Sequence, residues 1–126
     1  MAKVFLDTNI FIDAVHRRPD INDEFITHDI YHSYLSTHIL YYAQKLKVSN
    51  PATQVTGEKF QGVELTTSIM EHALIGPTRD LEDNIQLHSA AEADCDYFLT
   101  SDKKLLTMTY FGKTKMVSTI PKPNTR

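Results

Sequence analysis

Carboxylates occur at three places in this chain where a buried strand ends or a helix begins. They are Asp7 in Leu6-Asp7-Thr8-Asn9, the group Asp80, Glu82 and Asp83, and Asp102 in Leu99-Thr100-Ser101-Asp102. Clustered carboxylates repel and raise one another's pKa unless a cation neutralises them. A set of oxygen donors with no cysteine suits Mg2+ or Mn2+ rather than zinc. A hard dication held this way, with waters left on it, activates a water and stabilises a phosphoryl transition state, so the chemistry expected of such a pocket is metal-dependent phosphodiester cleavage. Each acid also has a plainer use. Asp7 or its neighbours can cap the helix that follows, Asp80 and Asp83 have cap spacing, and Asp102 can cap a short segment from Lys103 to Thr107. Capping and ligation are compatible roles.

The elements around these acids decide whether they meet. Val4, Phe5 and Leu6 read as a strand buried on both faces, covering residues 3–6. After Asn9 the pattern turns helical, with Ile10, Phe11, Ala14 and Val15 on one face as far as Arg17, before Pro19. A short helix or loop is expected over 20–29, a second strand over Ile30–Leu35, and a helix capped by Ser36 with Ile39, Leu40, Ala43 and Leu46 inward. Residues 49–57 read as a loop, 60–65 as a weaker third strand, and Ser68 to Glu71 as a capping box opening a short helix to Gly76-Pro77. Asp80 opens a longer helix to about Ala93, with Ile85, Leu87, Ala90 and Ala91 buried. Tyr97–Leu99 is a strand, and Met116–Ile120 a last strand before a Pro-Lys-Pro tail. Alternating strands and helices predict a parallel sheet with right-handed crossovers. In such a sheet Asp7, Asp102 and the start of the Asp80 helix share the carboxyl-end edge, where open α/β sheets hold their sites.

The bulk properties set the class. The chain has 126 residues, enough for one domain over 1–126, with 41% hydrophobic and 23% charged residues. A net charge of −3 argues against coating nucleic acid by charge alone. The single cysteine, Cys95, rules out an intramolecular disulfide framework and suits a reducing compartment. With neither a leader pattern nor an apolar run of membrane-spanning length, the expected location is cytoplasmic and off the membrane.

The segments Phe5-Leu-Asp-Thr-Asn-Ile10, Asp80-Leu-Glu-Asp83 and Leu99-Thr-Ser-Asp102 together resemble the PIN-domain nucleases, and within them the VapC-type toxins of toxin–antitoxin pairs. The resemblance implies a three-layer α/β/α fold on a mainly parallel sheet of about five strands. It also implies Mg2+- or Mn2+-dependent endonucleolytic cleavage of RNA. Asp7, Asp83 and Asp102 match the family's catalytic, metal-binding acids. Thr8, Asn9, Thr100 and Ser101 match its polar supports, and Asp80 and Glu82 flank the motif. Partners implied are RNA, a cognate antitoxin protein and a second copy of the chain.

Two departures stand out. The family's second acid, a Glu early in the helix after the second strand, matches His38 here, which removes a negative charge. The segments 19–31 and 47–59 are also short, so peripheral helices are expected to be reduced or missing. Both departures favour an alternative in which the chain is a weakened relative that binds RNA or protein. A phosphatase or phospho-acceptor built on Asp7 fits less well, because Asn9 stands where the former needs a second Asp. Arg79, Lys103 and Lys104 flank the acids and are candidate substrate-binding residues for backbone phosphates, against the ordinary reading of solvated surface. His28, His32 and His38 lie close in sequence, but no cysteine supports a zinc site. The tyrosines at 31, 34, 41 and 42 are expected mostly to pack.

Overall fold

The computed structural model describes residues 1–51 and 59–122. Most of the loop expected over 49–57, and the end of the tail, lie outside them. Six strands form one sheet: β1 (Lys3–Leu6), β2 (Asp29–Ser33), β3 (Gln61–Val63), β4 (Tyr97–Leu99), β5 (Tyr110–Phe111) and β6 (Thr114–Val117), in the order β3-β2-β1-β4-β6-β5. The five strands other than β5 run parallel, and β5 adds an antiparallel edge through a tight turn at Gly112, whose φ of +62° suits glycine. The expected sheet of about five strands is therefore present, with a two-residue sixth that carries too short a pattern to read.

β1 is central because its neighbours differ so much in chain position. Phe5 pairs Tyr31 on one side and Phe98 on the other. Side chains alternate across a strand, so Val4 and Leu6 face one layer and Phe5 the other. Val4, Leu6, Ile30, Leu99 and Val117 pack against Phe11, Ile12, Ala14, Val15 and Leu40. Phe5, Phe98 and Met116 pack against Leu87, Ala90 and Leu105. The result is a three-layer α/β/α arrangement. One layer holds α1 (Thr8–Ile12) with its π-helical continuation to Arg17, a 3-10 helix over Pro19–Phe25, and α2 (Tyr34–Ala43). The other includes α4 (Leu81–Glu92) and α5 (Lys103–Met108), with α3 (Thr67–Ala73) packed on α4 through Ile69, Ala73 and Ile85. Among the described residues no helix is long and apolar enough to cross a membrane.

Some boundaries differ from the sequence reading. β2 ends at Ser33, and Ser33 rather than Ser36 caps α2, its Oγ accepting the Ser36 N–H at 3.2 Å. Likewise Thr66 caps α3, accepting from the Ile69 N–H at 3.1 Å, so Ser68 lies inside the helix. In both cases an earlier hydroxyl of the same type wins the cap, which sequence spacing alone does not arbitrate. Ala91 is exposed on α4, and Tyr34 and Tyr42 project from α2 to solvent. The last strand starts earlier than expected, at Thr114, whose hydroxyl donates to the Cys95 carbonyl at 2.8 Å.

Candidate active site

Asp7 is the residue immediately after β1. Its backbone N–H donates to the Leu99 carbonyl at 3.0 Å, extending the β1–β4 pairing by one bond and fixing where the side chain emerges. The carboxylate caps α1, with Oδ1 accepting from the Thr8 N–H at 2.8 Å. Oδ2 accepts from the Thr100 hydroxyl at 2.7 Å. The same Thr100 hydroxyl accepts from the Asp102 N–H at 3.0 Å, so one side chain ties the end of β1 to the loop after β4. Asp7 is buried, 8% exposed. Burial raises its pKa most, against the lowering effect of Thr100 and of the Thr8 N–H, and Asp102 and Asp80 add to the rise.

Asp80 caps α4 and accepts from the Asp83 N–H at 2.9 Å, and Asp102 caps α5 and accepts from the Lys104 N–H at 2.8 Å. The capping roles read from sequence are thus real. Three helix starts stand at one sheet edge, each with its positive end toward the acids. The acids nevertheless perturb one another. Asp83 is pushed up to about 6 by partial burial and by the charges of Asp80, Asp7, Asp102 and Glu82. Glu82 is raised by burial, against the lowering effect of the nearby Thr8 hydroxyl, and Asp7 and Asp80 add to the rise. Asp7, Asp80, Glu82, Asp83 and Asp102 therefore form one electrostatic group drawn from three separate segments.

Beneath the acids lies a buried polar layer that sequence reasoning missed. Gln86, one turn after Asp83, is fully buried. Its Nε2 donates to Thr8 Oγ1 at 2.8 Å and to Ser36 Oγ at 3.1 Å, and its Oε1 accepts from Ser33 Oγ at 2.8 Å. The signal was a polar residue between Ile85 and Leu87 on an otherwise buried helical face. Asn84 was missed as well. Its Nδ2 donates to the carbonyls of Ala73 and Thr78 at 2.8 and 2.9 Å, and its Oδ1 accepts from the N–H and hydroxyl of Thr78 at 2.8 and 2.7 Å. Those four bonds fold the turn that delivers Asp80 to its place.

Other candidate residues stand apart. Asn9 and Ser101 are exposed at the rim, as are Arg79, Lys103 and Lys104. His38 is exposed on α2. Ser36 faces Thr8, and His38, two residues on, is turned about 200° around the helix from it. The residues one turn beyond Ser36 are Ile39 and Leu40, which pack in the core, so α2 brings no carboxylate to the group. His28 accepts from the Ala2 N–H and His32 is buried against Phe11, so the three early histidines do not gather.

In donor chemistry the group fits a hard dication: oxygen ligands carrying negative charge and lacking a protein counter-ion. The ion pairs among the described residues, Arg17–Asp13 and Arg18–Asp20, do not involve it. Among the described residues no three His, Cys, Asp or Glu stand close enough to form a ready-made cage.

No family model matches the chain, and no curated protein matches it. Among solved structures, a chain in the crystal structure of VapBC2 from Rickettsia felis, bound to a DNA fragment from their promoter, is similar with a TM-score of 0.62. The match covers 91% of this chain and 97% of that one at 13% identity, a likeness of fold.

Proposed function

We propose that the chain is a PIN-type, Mg2+- or Mn2+-dependent endoribonuclease acting as the toxin of a toxin–antitoxin pair. The observation that carries this reading is the convergence of Asp7, Asp83 and Asp102 at one sheet edge, with Asp80 and Glu82 beside them and no protein cation among them. The fold likeness to a chain of a VapBC complex supports it, and supports an antitoxin as partner. A second copy of the chain is proposed as a further partner, as the resemblance implies.

Asp7, Asp83 and Asp102 would hold the dication, which supplies Lewis acidity and a water activated for attack on phosphorus. The chain's own residues position. Thr100 holds Asp7 and Asp102 in fixed relation, and the Thr8 N–H fixes the second Asp7 oxygen. Arg79, Lys103 and Lys104, exposed beside the acids, would take RNA phosphates.

The test is cleavage of a pool of structured and single-stranded RNA with Mg2+, with Mn2+ and with EDTA. Wild type should cut only with metal. Asp7→Asn and Asp102→Asn should each lose about a hundredfold or more in rate, in keeping with several kcal/mol of lost charge stabilisation. Cutting by both variants at the wild-type rate would refute the assignment. A second reading, a module that binds RNA or protein without cutting, is favoured by the outward-facing His38 and the missing α2 acid. Metal-independent RNA binding by folded, non-cutting wild type would establish it.

A further inference from the structure

Gln86 is fully buried between Ile85 and Leu87, where an apolar side chain would fill the space without taking an amide out of water. Its bonds show what the amide does instead. Nε2 spends its two N–H groups on Thr8 Oγ1 and Ser36 Oγ, and Oε1 takes the Ser33 proton. Among these partners only this orientation uses both donors. Turned over, the amide would direct them at Ser33 alone and leave one N–H buried and unpaired. Thr8 and Ser36 also bond each other at 3.0 Å, and Ser33 Oγ accepts the Ser36 N–H at 3.2 Å. One side chain of α4 thereby holds the first residue of α1, the last residue of β2 and the first turn of α2. Thr8 is gripped twice, because its backbone N–H donates to Asp7 Oδ1 at 2.8 Å while its hydroxyl accepts from Gln86 at 2.8 Å. Asp83 lies one turn before Gln86 on the same face of α4. Asp7 and Asp83 are therefore joined beneath the cleft by one peptide link, one hydrogen bond and one helical turn.

We infer that Gln86 is a positioning residue of the site: through Thr8, its amide fixes where Asp83 on α4 stands relative to Asp7 at the end of β1. Apolar contacts tolerate small slides of one element over another, whereas a hydrogen bond near 2.8 Å weakens when it is stretched or bent. Ser36 gives α2 a part in the same task, although α2 brings no acid to the group. The inference rests on the nuclease reading and deepens it, by naming what sets the spacing of two of its acids.

The test is Mn2+ titration of the intact chain followed by electron paramagnetic resonance, read independently of activity and set beside RNA cleavage. Gln86→Met keeps the length of the side chain without its amide, and Thr8→Val removes the hydroxyl at nearly constant shape. Each should weaken Mn2+ binding and slow cleavage by about tenfold, with thermal melts confirming that the chains are folded. The double variant should lose no more than either single one, because both break the same link. Thr8→Ser, which keeps the hydroxyl, should recover most of the loss. Folded Gln86→Met that binds Mn2+ and cuts as wild type does would overturn the inference and leave the nuclease reading, which Asp7→Asn tests, intact. Losses that multiply to about a hundredfold in the double variant would overturn the link between Gln86 and Thr8. Should Gln86→Met not fold, the Thr8 pair decides: loss in Thr8→Val alone supports the inference, and equal loss in Thr8→Ser overturns it. Wild type that neither binds Mn2+ nor cuts RNA would overturn both readings.

Discussion

Asp83 has its pKa moved from the ordinary 3.8 to about 6, so the folded chain holds that proton more tightly than the unfolded chain does. The sign follows directly: its contribution to stability is full below about pH 4 and is lost as pH rises through about 6. Asp83→Asn, which removes the ionisation, should therefore be more stable than wild type at pH 7.5 in the absence of metal, and the gain should shrink to nothing by pH 4. Urea unfolding of both chains at the two pH values checks this. At this scale the sequence was partly legible. Asp7 and Asp102 could be read because each follows an apolar run, and a strand end is a local signal. The buried polar layer under them could not, because it depends on contacts such as Gln86 to Thr8, 78 residues apart.

The start of α4 is held less by its own turn than by the Asn84 side chain, which bonds Ala73 and Thr78 and so folds the turn between α3 and α4. Asn84 is 3% exposed, so no water replaces its partners when it is removed. Asn84→Ala should lower the unfolding free energy by about 1–3 kcal/mol, the cost of leaving buried groups unpaired. It should also slow RNA cleavage, because Asp80 and Asp83 lose their fixed approach. Equilibrium unfolding and the RNA assay on one preparation test both. The twelve-residue α4 and the compact apolar run of β4 were read correctly from sequence. The three-residue β3 falls inside the weaker strand read over 60–65, whereas the two-residue β5 and the π-helical turn over Asp13–Arg17 leave no periodic trace.

For the molecule as a whole, the alternation of strands and helices was enough to place the acids on one edge, because a parallel sheet sends every strand end the same way. On the proposed reading, the uncompensated charge gathered there would make the fold respond to dications. Millimolar Mg2+ should raise the melting temperature at pH 7.5 by mass action, and raise it little at pH 4.5, where Asp83 is protonated. Thermal melts at the two pH values, with and without Mg2+, check the difference. The central position of β1 has one more consequence. Asp7 is made long before the groups that hold it, the Leu99 carbonyl and the Thr100 hydroxyl, the latter 93 residues further on. A ribosome building this chain would therefore carry an incomplete site until that segment had emerged. On the proposed reading, a chain able to cut RNA would be kept from acting until then.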